Sequence, residues 1–466
     1  MSGNYSTASA ADIVAMISSS ATTATSVVGA SLARIEALDP SLNAFTDIVA
    51  TRARAKATAI DAKRARGETL GPLAGVPFAV KNLFDVAGLA TLAGSKINRD
   101  RAPATGDATL IERLEAADAI LVGALNMGEY AYDFTGENAH YGASRNPHDP
   151  DHMSGGSSGG SGTAVASGMV PLALGSDTNG SIRVPSSFCG LFGLKPTYGR
   201  LSRAKSFPFV SSFDHLGPFA RSALDLSLSY DVMQGPDPLD HAQTARAIEP
   251  TFATLDDGIG GLRIARAGGY FVTGGQPECF EAVARVAKAL DVTRDIEIPE
   301  ARRARSAAYI ITMAEGAALH VDRIRARAAD FDIDTRDRLI AGAMVPAQWV
   351  TRAQKFRRWY RDAVASLFRD VDIILAPSTP CRAPRIGQKN MTLDGVEMAV
   401  RANLGIYTQP ISFIGLPVVG VPVWTDRVPL PIGVQIIAAP WREDLALRVA
   451  RHLEKRGMVR APVATD

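Results

Sequence analysis

The sequence predicts an α/β protein with a large mixed central β-sheet covered by helices on both faces. Three observations carry that expectation. Segments of helical period alternate with short apolar runs along the chain. Two of those runs, "GVPFAVK" and "VPLALGSD", break off in polar loops. A third segment, "ATLIERLEAADAILVGALNM", passes directly from an amphipathic helix into a strand. Strands interleaved with helices bury both faces of a sheet, which yields a layered and partly parallel arrangement. At ~150 residues per domain, the 466 residues have room for two or three domains as well as one. No Ser/Pro linker, like-charge block or fixed-period repeat divides them, so a single domain over residues 1–466 is expected.

The elements follow in chain order. Residues 9–40 read as two helices; Val28, Leu32, Ile35 and Leu38 keep the helical period, and Asp39-Pro40 is expected to stop the second helix. "NAFTDIV" reads as a strand. "RARAKATAIDAKRARG" is an Ala-rich helix with Gly67 as its C-terminal cap. "GVPFAVKNLFDV" is a buried strand that emerges into a loop at Lys81. Further on, "SGTAVASGM" reads as a helix and "VPLALGSD" as a strand. Near the end, "ISFIGLPVVGVPV" and "LPIGVQIIAA" are two strands joined by "WTDRVP". "REDLALRVARHLEKRG" closes as a helix, with acids in its first turn and bases in its last, matching the helix dipole.

Composition excludes several classes of function. With 50 basic and 48 acidic residues, the net charge of +2 gives no electrostatic reason to expect nucleic acid. The Arg-rich stretch "RAQKFRRWYRDAV" reads as a solvated helix face. Cys189, Cys279 and Cys381 lie far apart, without CxxC spacing, which argues against a disulfide framework or a structural zinc site. "MSGNYSTASAADIVAMISSS" has no cationic segment before its short apolar part and does not read as a signal peptide. No apolar run reaches the ~18 residues of a membrane span. A cytoplasmic location is expected.

The stretch from Met153 to Pro185, "MSGGSSGGSGTAVASGMVPLALGSDTNGSIRVP", holds eight glycines, seven serines and no histidine. A serine nucleophile needs a base and an oxyanion stabiliser. Both "GGSSG" and "GSSGG" match the GxSxG elbow, but that turn follows a buried strand, and "NPHDPDHM" is too polar to be one. His215 and His452 occur downstream in undistinguished contexts. "SRAK" at Ser202–Lys205 matches SxxK, a pattern that arises readily by chance. The third arrangement pairs the small-residue loop with Ser181 and Lys81, each at the point where an apolar strand runs out, which is where layered α/β proteins place ligands. Burial of Lys81 would favour its neutral form; bringing a lysine from ~10.4 to about 7.5 costs roughly 4 kcal/mol, a cost that makes sense for a working base. Taken alone, Lys81 reads more readily as a surface lysine at a strand end.

The same residues resemble the amidase signature family. "GGSSGGSG…GSDTNGSIRVPSSFCGLFGLKPTYGRLS", "PLAGVPFAVKNLFD" and "LPIGVQII" match its motifs in order and spacing over almost the whole chain. The resemblance implies the family's fold and a Ser-cisSer-Lys set, with Ser181 as nucleophile, Ser157 as the bridging serine behind a cis peptide and Lys81 as base. Neutral Lys81 would accept a proton from Ser157 while Ser157 accepts one from Ser181. A hydroxyl can donate and accept at once, so the relay needs no imidazole. The implied oxyanion hole is the row of backbone N–H groups at Thr178, Asn179, Gly180 and Ser181, a nest that requires φ > 0 positions. The family usually has glycine where this chain has Asn179, and asparagine tolerates φ > 0 well enough to keep the nest; its side chain is also a candidate to touch substrate. Asp177 and Arg183 are expected to brace the loop. Cys189 reads as a small buried residue. No metal or cofactor is expected.

Substrate specificity must come from elsewhere in the chain. "NMGEYAYDFTGENAHYGASRNPHDPDHMSGGSSGG" and "DTNGSIRVPSSFCGLF" look closest to the 1-carboxybiuret hydrolases of cyanuric acid degradation, which act on a small planar acidic ureide. "AAYIITMAEGAALH…DTRDRLIAGAM" is similar to the segment that holds the glutamine carboxylate in glutamyl-tRNA amidotransferase A subunits. These resemblances imply an amidohydrolase that releases ammonia through an acyl-enzyme on Ser181, with a glutaminase subunit or another small-amide amidase as the alternatives. They make Tyr309, Arg338 and Thr135 candidate substrate contacts, and residues of about 245–370 a helical specificity region. Arg338 offers a planar fork for a carboxylate; its bland alternative is a surface pair with Asp334 or Asp337. The resemblance also implies a homodimer or heterotetramer with a small companion protein, and no nucleic-acid or membrane partner. A non-catalytic scaffold is the reading from another class, and the presence of all three catalytic positions argues against it.

Overall fold

A computed structural model describes residues 5–425 and 428–464. Residues 1–4, which open the stretch read as lacking a leader's cationic segment, and residues 426 and 427 of the "WTDRVP" connection lie outside the described residues. The centre is an 11-stranded mixed sheet. Strands Pro77–Lys81 and Leu172–Asp177 lie side by side and parallel, with Phe78 opposite Leu172 and Val80 opposite Leu174. Ile120–Leu125 runs parallel to Pro77–Lys81 on its other side, whereas His215–Ala220 is antiparallel to Leu172–Asp177. Every residue of the two central strands is buried, as expected where helices cover both faces.

The register places the functional segments. Both central strands point the same way, so the end of the first at Lys81 falls beside the last residues of the second, Gly175 to Asp177. The loop that follows Leu172–Asp177 carries residues 178–182 into the buried helix Arg183–Cys189. The glycine–serine loop enters the helix Gly159–Ala166, which is buried over its whole length because its residues are small.

Local chemistry explains where the helices begin and end. Ser9 and Asp12 form a reciprocal capping box at the start of Ala10–Ser18, and the Thr23 hydroxyl accepts the Ser26 N–H at the start of Ala24–Leu42. That second helix does not stop at Asp39-Pro40 as expected: Pro40 lies inside it. The stop is Asn43, which takes the left-handed conformation (φ 54°) and donates its N–H to the Asp39 carbonyl at 2.8 Å. The Asp39 carboxylate then accepts the N–H groups of Ala44 (2.7 Å) and Phe45 (3.0 Å), so the chain turns under polar control without using the proline as a breaker. The strand expected over "ISFIGLPVVGVPV" begins only at Val418; Gln409–Ser412 forms one helical turn instead. Residues 149–153 are extended, but in a separate two-stranded ribbon outside the central sheet. Between residues 245 and 370 the chain forms the long helices Pro277–Ala289, Ala301–Arg327, Ile333–Ala343 and Ala347–Leu367, and also gives the sheet two strands, Ile264–Ala267 and Asp295–Ile296. Among the described residues, no helix is long and apolar enough to cross a membrane.

Candidate active site

Lys81 ends its strand with no solvent exposure. Its Nζ lies 2.7 Å from Ser157 Oγ, 2.9 Å from Ser176 Oγ and 3.0 Å from Ser158 Oγ. A neutral amine has two N–H donors and one lone pair, so three hydroxyl neighbours suit it. The Ser158 hydroxyl donates to the Ser176 carbonyl (3.2 Å), which leaves its oxygen to accept from Lys81. Burial away from water drives the Lys81 pKa down to about 7, against a smaller upward pull from the charges of Asp177, Asp214 and Asp133. Near neutrality, then, a large fraction of this amine is uncharged.

Ser157 follows a cis peptide at Gly156–Ser157. The loop around it is zipped to residues 134–136: the Gly155 N–H donates to the Thr135 carbonyl (3.1 Å) and the Gly156 N–H to the Phe134 carbonyl (2.8 Å). A β-carbon on Gly156 would lie 2.4 Å from Asp133 Oδ2, which explains the glycine there. Asp133 is itself held by the N–H groups of Thr135 (3.0 Å) and Gly136 (2.7 Å) and by Arg401 (3.0 Å). Thr135 does not take the expected place against substrate. Its hydroxyl donates to Asp133 Oδ1 at 2.8 Å and accepts the Glu137 N–H at 3.2 Å, so it braces this turn and stays out of the cavity wall.

Ser181 opens onto a small cavity lined in part by Asn179, Tyr309, Thr312, Arg338 and Gln409. Its hydroxyl has no hydrogen-bond partner among the described residues, so the bridge to Ser157 is not made in this structure, whereas the contact between Ser157 and Lys81 is. The nest is built differently from expectation. Gly180, not Asn179, takes the positive φ (145°), and a β-carbon there would meet Thr408 Oγ1 at 2.2 Å. The Thr408 hydroxyl fixes the loop by donating to the Asn179 carbonyl at 2.6 Å, and the Thr178 hydroxyl donates to Asp214 at 2.6 Å. Among the described residues no acceptor meets the N–H groups of Asn179, Gly180 and Ser181. A run of unsatisfied donors beside a hydroxyl suits an incoming oxyanion.

Asp177 and Arg183 flank the loop and are both wholly buried. Arg183 Nε and one terminal nitrogen each donate to the Asp177 carboxylate at 2.9 Å. The guanidinium is completed by Gln435 Oε1 (2.7 Å), the Thr408 carbonyl (3.1 Å) and the Ser412 hydroxyl. Burial pushes the Asp177 pKa up, but the charge and hydrogen bonds of Arg183 outweigh it and hold the carboxylate below its usual range. Asp177 Oδ2 also accepts the Ile182 N–H (3.2 Å), so the pair fixes both ends of the Ser181 loop.

Arg338 is not the surface pair it could have been. Asp334 bonds Arg401 (2.6 Å) and Asp337 bonds Arg336 (2.8 Å). Arg338 donates to two carbonyls, those of Asp334 and Tyr132, and its guanidinium lies 3.9 Å from the centre of the Tyr132 ring. It therefore lines the cavity without a carboxylate partner, and burial lowers its pKa. Tyr309 reaches the cavity too, but its hydroxyl proton goes to the Ala402 carbonyl (2.6 Å).

The competing motifs dissolve. The Ser202 hydroxyl donates to Asp237 (2.6 Å) while Lys205 pairs with Glu112 (2.8 Å), and the strand before Ser157 belongs to the small ribbon and not to the central sheet. His215 is buried with Nδ1 3.0 Å from the Asp177 carbonyl, and no histidine lines the Ser181 cavity. Cys189 is buried, its thiol donates to the Ser154 carbonyl (3.3 Å), and burial raises its pKa, so it is no nucleophile. Among the described residues no group of three or more His, Cys, Asp or Glu could hold a metal ion. Reading the sequence missed Ser158 and Ser176 as partners of Lys81, although both lie in the serine-rich stretch. It also missed Asp133, Arg401, Thr312 and Gln409, which no local pattern marks.

The chain is similar to known proteins over nearly its whole length. The profile of the amidase family matches residues 26–447. AtzE, the 1-carboxybiuret hydrolase subunit of Pseudomonas sp. (strain ADP), is 53% identical over 450 residues, covering 96% of this chain and 98% of that protein. The glutamyl-tRNA(Gln) amidotransferase A subunit from Anaeromyxobacter sp. (strain K) is 38% identical, covering 96% of each. A solved structure described as a vestigial protein complex bearing on the origins of an s-triazine catabolic enzyme superposes with a TM-score of 0.96 at 52% identity, covering 97% of this chain and 99% of that one.

Proposed function

The chain belongs to the amidase family and is an amidohydrolase acting on linear amide C–N bonds, and from that premise we propose that it releases ammonia from 1-carboxybiuret in cyanuric acid degradation. The observation that carries this substrate is an arginine without a carboxylate partner in the wall of the Ser181 cavity. Arg338 is half-buried, and an anionic substrate would pair its charge where no protein carboxylate does. The 53% identity to a 1-carboxybiuret hydrolase supports the same reading.

The chemistry follows from the residues. Neutral Lys81 accepts the Ser157 proton as Ser157 accepts that of Ser181, and Ser181 Oγ bonds to the terminal carbonyl carbon. The N–H groups of residues 178–181 hold the resulting oxyanion. The proton on Lys81 returns through Ser157 to the leaving nitrogen, the C–N bond breaks and ammonia departs. Water then attacks the acyl-enzyme by the same relay, and Ser181 is restored with its proton. In this account Ser181 rotates toward Ser157 when substrate fills the cavity; catalytic hydrogen bonds are commonly completed only in the complex.

The test is ammonia release from 1-carboxybiuret, biuret, glutamine and a fatty amide. 1-Carboxybiuret is expected to be turned over best. Faster turnover of biuret or the fatty amide would overturn the acidic substrate. Faster turnover of glutamine would favour an amidotransferase glutaminase, the reading that the 38% identity to such proteins keeps in view. Arg338→Lys, which loses the planar fork, is expected to raise KM roughly tenfold or more with a much smaller fall in kcat; an unchanged KM would remove Arg338 from the carboxylate site. We further propose that the enzyme works in the cytoplasm as a heteromer built on a dimer with a small companion protein. Co-purification of such a protein from the native host tests this, and recovery of the chain alone contradicts it.

A further inference from the structure

Asn179 stands out in the cavity wall. It is 6% exposed, and its Nδ2 donates to Thr312 Oγ1 at 3.0 Å. Its Oδ1 is buried and has no partner. The other polar groups there are mostly committed: Gln409 Oε1 accepts from Arg305 (2.9 Å), the Tyr309 hydroxyl donates to Ala402, and Asp133 is held by Arg401 and the 135–136 turn. One further buried oxygen of the wall, the Tyr132 hydroxyl, also lacks a partner, but a hydroxyl can donate or accept. An amide oxygen can only accept. A buried acceptor without a donor is a standing cost, removed when a ligand brings an N–H.

The position of this acceptor says which N–H. Asn179 is two residues before Ser181, and its own backbone N–H belongs to the proposed oxyanion row. A side chain rooted in that row reaches atoms beside the scissile carbonyl. The Thr408 bond to its carbonyl and the Thr312 bond to its amide nitrogen fix it at both ends. Its conformation does not require asparagine, because the positive φ of the nest falls on Gly180.

We propose that the Asn179 side-chain carbonyl is a specificity determinant that accepts a hydrogen bond from the substrate N–H flanking the scissile carbonyl, so that the enzyme takes ureides in preference to amides with carbon at that position. This deepens the function proposed above and rests on Ser181 attacking within this cavity. A site built to pair an N–H discriminates strongly against an analogue that lacks it, because the acceptor is then left buried and bare.

The experiment compares biuret with malonamide, which replaces the central NH by CH2, alongside 1-carboxybiuret. The wild-type enzyme is expected to favour biuret in kcat/KM. In Asn179→Gly the biuret:malonamide ratio is expected to fall roughly tenfold or more, mainly through loss on biuret. Thr312→Val, which frees the amide without touching the loop, is expected to lower the ratio less, and it serves as the readout if Asn179→Gly does not fold. An unchanged ratio in both variants, or an equal fall on both substrates, overturns the assignment. The two readings fail separately: if 1-carboxybiuret is not turned over but the ratio still falls, the substrate is wrong and Asn179 keeps its role. If 1-carboxybiuret is turned over and the ratio holds, the reverse is true.

Discussion

Ser181→Ala is expected to lower kcat for ammonia release on the order of 10⁴-fold or more, and Lys81→Ala to do nearly the same. The first removes the atom that bonds to the carbonyl. The second removes the base that the geometry offers among the described residues, where no histidine lines the cavity and the nearby carboxylates are engaged by arginine or backbone N–H groups. The double variant Lys81→Ala/Ser181→Ala is expected to be no worse than Ser181→Ala alone, since parts of one relay are not additive. Ser157→Ala belongs to the same set. Single-turnover ammonia release measures all four; additive losses would mean that Lys81 and Ser181 act separately. The need for a neutral amine also explains the surroundings of Lys81, which has three hydroxyls for neighbours and no carboxylate in contact.

The second large effect is on stability. Arg183→Met is expected to destabilise the protein by about 3–5 kcal/mol at pH 7, the range for stripping a buried carboxylate of its partner. Asp177 and Arg183 have no solvent exposure, and the variant would leave the carboxylate with only the Ile182 N–H and the Ser412 hydroxyl (3.1 Å). The sign of the pH dependence follows from the lowered Asp177 pKa. The stabilisation it reports is present above the unfolded carboxylate value near ~3.9 and is lost as pH falls toward the folded one. The deficit of the variant is therefore expected to be largest at neutral pH and to shrink as acid protonates the carboxylate that has lost its partner. Denaturant midpoints at pH 7 and below pH 4 check this. A variant as stable as wild type at pH 7 would mean that the pair braces nothing.

Much of this arrangement was legible in the sequence because it depends on strand ends. "GVPFAVK" and "VPLALGSD" are apolar runs with a polar stop, and such runs in an alternating chain become adjacent buried strands that deliver their last residues to one place. The end of the first strand at Lys81 and the loop of Ser181 come together for that reason, and Ser176, which the sequence did not single out, comes with them. Ser157 was placed through its match to the family's glycine–serine motif, and the structure shows why a glycine precedes it, since a β-carbon on Gly156 would collide with Asp133. Less legible were features set by distant packing. Pro40 looks like a helix stop, but the stop is made by Asn43 and by Asp39 reaching forward to two N–H groups. Asn179 looked like the left-handed residue of the nest, yet the contact with Thr408, more than two hundred residues away, puts that burden on Gly180. Thr135 looked available to substrate, and only the placement of Asp133 turns it away. The helices Ala301–Arg327 and Ile333–Ala343 carry ordinary amphipathic patterns; Tyr309 and Arg338 were singled out there only by the family resemblance, and Thr312, which also lines the cavity, follows from tertiary packing.

Catalysis turns on an uncharged Lys81 activating Ser181 through Ser157. The most direct measurement is the pH dependence of the rate at which a fluorophosphonate probe labels Ser181, which requires no knowledge of the substrate. In the wild-type enzyme the rate is expected to rise with pH and level off, with a midpoint near the pKa of about 7 that burial gives Lys81. In Lys81→Ala that limb is expected to vanish and labelling to become very slow. A wild-type rate flat from pH 5 to 9, or a Lys81→Ala protein labelled as fast as the wild type, would contradict that role of Lys81.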